Sequence, residues 1–416
     1  MNKYFLVSFL SVFIAGSVFA QGPIITSWKI NTTGAHISKG SEIIIVDVEA
    51  VYYDSSYVYV KTSGVPDYYN FGTNHSVNAA SDLKEVFRIT RSPQKNTGTL
   101  VSALNGGQYG VARDGTLIFN GEDARSYNNQ NVWHSLAYYF EVTDFDSTWG
   151  HSTPTNDYHH HVLDLALQDT TKNMVHSPIQ GYALDGFPIY GPFAYKDPND
   201  ATSKIIRMTS SYQKRSITDR TTLPDGTTLT TTQYGPALGG QYPLGCYRED
   251  YKYIANSGIL DDHNGRFCKT PEYPNGIYAY FAILDSSLKP CYPYVFGQSM
   301  YGTVDQGNMG PGGGKFTIPA NAVKYPPVSG INEAYTLESL SLYPNPASNI
   351  IHLLLPTENT HWQFEIHDMA GRIIKHSQTF GSKADIDVSS LSNGVYIIKA
   401  NNESGSANWV GQLVKN

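Results

Sequence analysis

The segment Tyr158-His159-His160-His161 places three imidazoles in succession, and His176 follows fifteen residues after the last of them. On an extended strand alternate side chains point the same way, so His159 and His161 share a face with their Cβ atoms about 6–7 Å apart. Two neutral imidazoles at that spacing can converge on one cation, each giving a ring nitrogen at about 2.0–2.1 Å. A third ligand has to come from elsewhere in the chain. His176 leads a Ser-Pro and Gly-containing loop that constrains the backbone without filling the space, and it is the expected third ligand. Asp185 lies in the turn at the far end of that segment, and Tyr158 heads the cluster itself. His151, His134, His263 and Asp261 are less specific alternatives. Alternation sends His160 to the opposite face, where a structural or supporting role is expected. Imidazole combined with carboxylate or phenol oxygen suits zinc or copper better than magnesium or calcium.

Two other readings of the same residues stand beside a metal site. Histidines and tyrosines in a sheet with few charged side chains can form a buried hydrogen-bond network, or a metal-free catalytic or ligand site. Asp261, Asp262 and Glu272 read as turn-forming or ion-pairing residues. A zinc ion with an open position could acidify water and hydrolyse an ester or phosphodiester, with an Asp or Glu as base, and copper could support redox chemistry. The chain contains neither HExxH nor GxSxG, and no particular Ser-His-Asp set stands out. An enzyme is therefore open, with no reaction to name. The competing class is a metal-free module that binds extracellular polysaccharide or protein. Tyr52-Tyr53, Tyr57, Tyr59, Tyr68-Tyr69, Tyr138-Tyr139, Tyr278 and Tyr280 could offer flat apolar faces with polar edges, though ordinary strand packing is the simpler use of each.

The elements that must position these residues are strands. Only 16% of the 416 residues are charged, while Tyr reaches 31, Gly 37 and Pro 22, the composition of short strands joined by tight turns. The net charge of −7 and the lack of a basic patch argue against nucleic acid. Lys3 followed by the apolar Tyr4–Phe19 and by Val18-Phe19-Ala20 reads as a cleaved signal peptide over residues 1–20, and the remaining chain carries no membrane-spanning stretch. Residues 23–100 read as strands, either a separate domain or the first strands of the next. Residues 101–300 combine short strands with long ordered loops. Gly110-Val-Ala-Arg-Asp-Gly-Thr-Leu-Ile-Phe and Gly181-Tyr-Ala-Leu-Asp-Gly-Phe-Pro-Ile-Tyr echo one another and raise the question of an internal duplication. Residues 301–336 read as a Gly/Pro-rich loop and linker, and 337–416 as a small β-sandwich. An oxidising compartment permits a disulfide among Cys246, Cys268 and Cys291, but three cysteines leave at least one thiol over.

Two resemblances sharpen this picture. Leu342-Tyr-Pro-Asn-Pro-Ala, Asp368-Met-Ala-Gly-Arg and Leu391-Ser-Asn-Gly-Val-Tyr-Ile-Ile-Lys occur in order at the C-terminus. Together they resemble the type IX secretion (Por) sorting domain of Bacteroidota, which has an immunoglobulin-like fold. The resemblance implies export by the type IX machinery, removal of the domain, and a place on the outer cell surface or outside the cell. Trp133, Gly150-His151, Tyr158-His-His-His161, the run from His176 to Pro192, Leu260-Asp-Asp-His-Asn-Gly-Arg and Thr270-Pro-Glu-Tyr-Pro-Asn-Gly-Ile-Tyr-Ala-Tyr-Phe resemble the YHYH-domain family. His160 stands where the family name has its second Tyr, while the two outer histidines keep their places. The expected fold is mainly β: a β-rich YHYH-like domain with long ordered loops, plus a small C-terminal immunoglobulin-like sandwich.

Overall fold

The computed structural model describes residues 22–70, 78–102, 107–310, 312–326, 341–355, 361–368, 372–402 and 408–416. The expected signal peptide and the linker residues beyond 326 lie outside these. The chain divides into two units, one reaching Pro326 and the other from Pro327 onwards. Strands dominate both, and the two α-helices among the described residues, Pro23–Thr26 and Ala137–Phe140, are four residues each. None is long and apolar enough to cross a membrane.

The first unit is built on two sheets. One is antiparallel in the order Val323–Tyr325, Val48–Tyr53, Tyr57–Thr62, Glu85–Thr90. The other has eight strands in the order Gly150–Ser152, Tyr158–His160, Leu117–Phe119, Gln108–Ala112, Ile179–Ala183, Pro188–Tyr190, Ile277–Phe281, Gly265–Cys268. Val51, Val60, Phe87 and Ile89 of the first sheet share one buried cluster with Tyr109, Val111, Tyr182, Ile189 and Tyr280 of the second. Residues 23–100 thus contribute to the same core as the central strands. Residues 301–326, expected as loop and linker, are also integral to this unit. Asp305 and Asn308 hold Arg88, and the segment ends in the strand that pairs with Val51–Tyr53.

The echoed sequences form the two central hairpins of the large sheet, and their register is symmetric. Gly110 faces Ala183, Val111 faces Tyr182, and Ala112 faces Gly181. Each hairpin turns on an Asp-Gly pair whose carboxylate accepts a backbone N–H two residues on: Asp114 from Thr116 and Asp185 from Phe187. Gly115 and Gly186 have φ of +89° and +91°, which L side chains rarely adopt. A Cβ on Gly115 would also sit 2.2 Å from the Thr62 hydroxyl, and one on Gly186 2.8 Å from the Thr90 carbonyl. Both hairpin tips therefore abut the smaller sheet, and only glycine allows that approach.

The symmetry extends outward. Ile118 pairs in parallel with His160, and Ile189 pairs in parallel with Tyr280. Gly150 and His151 then pair with His160 and His159, as Gly265 and Arg266 pair with Tyr280 and Ala279. Even the turns match, because Asp146 accepts from the N–H of Gly150 and the hydroxyl of Tyr158, and Asp261 from the N–H of Gly265 and the hydroxyl of Tyr278.

One buried acid in the smaller sheet carries a pH prediction. Burial pushes Glu85 up to about 8, with Lys315 opposing and Asp157 assisting, and its Oε2 has no partner. The folded unit then binds a proton that the unfolded chain, with an ordinary Glu pKa of about 4.3, has lost. Stability should fall as pH rises from about 4.3 towards 8 on this account. Glu85→Gln keeps the neutral form, so chemical denaturation at pH 8 should find the variant more stable by about 1–3 kcal/mol, with the gap closing at pH 5.

The second unit pairs Ser341–Tyr343, Ile350–Leu354 and Lys383–Asp387 in one antiparallel sheet. Ile373–Phe380, His361–His367, Gly394–Asn402 and Asn408–Lys415 form the other. Ile351, Leu353 and Ile386 from the first sheet meet Trp362, Phe364, Ile366, Ile398 and Leu413 from the second in one core. Burial along His361–His367 alternates, with Trp362, Phe364 and Ile366 inward, as a half-covered antiparallel strand requires. The result is the small β-sandwich expected from the strand and turn spacing.

Candidate metal centre

The outer edge of the large sheet brings three imidazoles together. His151 lies on the edge strand directly opposite His159, and His161 follows two residues later on the same side. One ring nitrogen from each lies within 4.8 Å of the other two, and all three residues are buried. The hairpin that makes this pairing closes where Thr153 Oγ1 donates to Asp157. The turn leading into its edge strand is set by Asp146, whose carboxylate accepts from Thr148 and Gly150 while Trp149 takes φ +68°. Gly150 is required because a Cβ there would stand 2.2 Å from the Tyr158 hydroxyl. That hydroxyl donates to Asp146 at 2.6 Å, so Tyr158 anchors the hairpin from the opposite face. His160 shares that opposite face. Its Nε2 lies 3.2 Å from the Tyr68 hydroxyl, which in turn donates to Asp164.

Hydrogen bonds assign the tautomers of two rings. His159 Nδ1–H donates to the Asp157 carbonyl at 3.0 Å, and His161 Nδ1–H donates to the Asn120 carbonyl at 2.6 Å. Each Nε2 is then left with a bare lone pair, and the two face one another at 2.9 Å. His151 Nε2 is buried with no hydrogen-bond partner, and so is Glu141 Oε2. That oxygen lies 3.4 Å from His161 Nε2 and 3.6 Å from His151 Nε2. Burial, reinforced by the neighbouring imidazoles, pushes His151 down to about 3 and His159 well below its ordinary range. Burial works against ionisation of Glu141, yet His161, His151 and Arg125 more than offset it and hold the carboxyl low. With all three rings neutral, acceptors converge here without a donor among them; a proton on His161 Nε2 would instead lie between His159 Nε2 and Glu141 Oε2.

Aromatic rings fix the imidazoles from the sides. Phe119 stacks on His159 at 3.9 Å between centroids, and Phe145 packs on His151 at 4.8 Å. The open side is a cavity of about 330 Å³ rimmed by Asp123, Arg125, Glu141 and Asp144. Burial and the nearby Glu141 push Asp123 up to about 6.

The other expected residues stand elsewhere. His176, expected as third ligand, does not join the cluster: its Nδ1 bonds the Ser177 carbonyl at 2.8 Å, and its ring packs against Tyr190 and Tyr195. The strand of Tyr190 lies four strand spacings from that of His159, about 19 Å. The place given to His176 is taken by His151, whose strand folds back beside His159, a return that spacing alone does not reveal. Asp185 is fully buried and accepts from Tyr280 and Gly302 in the other half of the sheet. Asp261 anchors Tyr278 and its own turn, and His263 bonds the Ser299 carbonyl. His134 is held by Glu249 at 2.6 Å. Glu272 accepts from Tyr190. Of the tyrosines weighed as a platform, Tyr278 and Tyr280 are buried, Tyr53, Tyr57 and Tyr59 line one shallow cavity, and Tyr138 and Tyr139 line another. Cys246, Cys268 and Cys291 are all free thiols. Glu141, Asn120, Phe119 and Phe145 carried no sequence signal, because they reach the site only through tertiary packing.

A family model described as YHYH protein matches residues 86–292, and one described as secretion system C-terminal sorting domain matches residues 341–416. The class is thus an exported, mainly β protein. In particular, the chain carries a YHYH domain over residues 86–292 and a C-terminal type IX sorting domain, which directs it to the cell surface or the extracellular space. No curated protein matches the chain. Among solved structures it has 10% identity to PorZ, described as an essential bacterial surface component of the type-IX secretion system of Porphyromonas gingivalis. That alignment covers 91% of this chain and 53% of the other, so the chain spans about half of that protein's length. Its TM-score is 0.18, which carries no weight on the fold.

Proposed function

We propose that the exported protein is a metal-binding protein in which His151, His159 and His161 hold zinc or copper, with Glu141 as a fourth ligand or as the base beside a bound water. One observation carries this reading: the Nε2 atoms of His159 and His161 face each other at 2.9 Å, with the Nε2 of His151 and the Oε2 of Glu141 left unpartnered close by. In a buried hydrogen-bond network each acceptor would have a donor, since an unsatisfied buried polar group costs about 1–3 kcal/mol. A divalent cation takes all these lone pairs at once. Ligands at about 2.0–2.1 Å from a tetrahedral ion stand about 3.3 Å apart, so the His159 and His161 rings need open by only a few tenths of an ångström. The carbonyls of Asp157 and Asn120 already orient those rings, as outer partners of metal-bound histidines do.

Three imidazoles leave a coordination position open towards the cavity, the arrangement of a hydrolytic rather than a purely structural zinc site. An ion there would acidify a bound water, and Glu141 is placed to accept its proton. The test is metal content by mass spectrometry on the purified protein and on its His159→Ala, His161→Ala variant. Near-stoichiometric zinc or copper in the first and none in the second is expected. A folded wild-type protein that holds no metal, and takes up neither ion when offered, would sink the proposal.

A further inference from the structure

The short helix that ends before Glu141 turns Tyr138 and Tyr139 towards a second cavity, of about 610 Å³. Tyr251 and Tyr292 form part of its wall with their rings stacked at 4.4 Å, and Tyr139 on its lip is 38% exposed. Two cations stand on the rim. Lys214 is the cross-strand partner of Tyr251 and is exposed. Arg207 bonds the Leu284 carbonyl through Nη1. Neither is held in an ion pair among the described residues. Asp285 also lines the groove, with its Oδ1 accepting the N–H groups of Ser287 and Lys289 in its own loop.

We propose that this groove binds a polysaccharide that carries carboxylates, of the uronic-acid class. The partly exposed rings of Tyr138, Tyr139 and Tyr251 can cover the apolar C–H faces of sugar rings, with the buried Tyr292 stacked behind Tyr251 as its backing. Hydroxyls of Ser210 and Ser286 on the same rim both donate and accept, as a polyol requires. Arg207 and Lys214 supply the charge-assisted bonds that distinguish an acidic sugar from a neutral one. Two cations against the single carboxylate of Asp285 give the groove a local sign opposite to the chain's net charge of −7. This site is separate from the histidine cluster and does not rest on a metal being bound there.

The test is calorimetric titration of the full-chain protein with oligogalacturonate, beside a neutral cello-oligosaccharide of equal length and polyglutamate. Oligogalacturonate should bind, more weakly as salt rises and unchanged by chelator. Arg207→Gln, Lys214→Gln together should weaken it at least about tenfold. Lys214→Gln alone, at an exposed position, should weaken it measurably with the thermal midpoint unchanged. No binding of oligogalacturonate, equal binding of the neutral oligomer, tighter binding of polyglutamate, or full affinity in the double variant would each overturn the assignment.

Discussion

His151→Ala should lower the affinity for zinc or copper more than about 100-fold, whereas His176→Ala should leave it unchanged. The two residues were both candidates for the third ligand, and the fold separates them. His151 sits opposite His159 in the sheet, with an orphaned Nε2 beside Glu141. His176 packs between Tyr190 and Tyr195, with Nδ1 already bonded to the Ser177 carbonyl. Removing a direct ligand costs more than removing an outer partner, for which about 10–100-fold is usual. Glu141→Gln therefore falls in that outer range where Glu141 serves the bound water, and beyond it where Glu141 is the fourth ligand. Competition against a chromophoric chelator measures all three. Equal affinities in His151→Ala and wild type would remove His151 from the site. A loss in His176→Ala, with the fold intact, would place the ion elsewhere in the chain.

The second large effect concerns stability. In the other half of the sheet, the positions equivalent to His151, His159 and His161 are occupied by Arg266, Ala279 and Phe281. That half keeps the same aspartate–tyrosine anchor, Asp261 to Tyr278, and packs without any imidazole cluster. His159→Ala, His161→Phe therefore gives the first half side chains that the architecture already accommodates. The change gives up two bonds to backbone carbonyls but removes the facing lone pairs, so in chelator the variant should lie within about 2 kcal/mol of wild type. The difference should appear on adding metal. At a concentration of 100 times Kd, binding adds about 2.7 kcal/mol to the wild type and nothing to the variant. For a unit of this size that is a rise of roughly 5–10 °C in thermal midpoint, read by scanning calorimetry. A wild type indifferent to both metal and chelator, with a variant several degrees less stable, would instead mark the histidines as a structural network.

The divided legibility of this chain has a physical basis. Strand character and the small C-terminal sandwich follow from local composition, because β-branched and aromatic residues between Gly, Pro and Asp turns have few other ways to bury their surface. That this sandwich is a sorting module follows from the resemblance of its ordered motifs. The pairing of His159 with His161 was legible for the same reason, since it depends only on alternation within one strand. So was the placing of His160 on the opposite face, where it meets Tyr68; Tyr158, weighed as part of the cluster, lies on that face too and bonds Asp146 instead. The Asp-Gly echo at 114–115 and 185–186 was visible, but its meaning lay in the antiparallel register between the two hairpins.

What the amino-acid sequence determined by itself was therefore the short-range part: a mainly β chain, its C-terminal sorting module, and two histidines on one strand face. Tertiary structure decided the rest of the site. It placed His151, rather than His176, beside His159 by folding an edge strand back, and it brought Glu141, Asn120, Phe119 and Phe145 around the imidazoles from two other segments. It also joined residues 23–100 and 301–326 to one core. Hydrophobic burial and strand pairing between distant segments fix such choices, and neither leaves a periodicity that local residue spacing can carry.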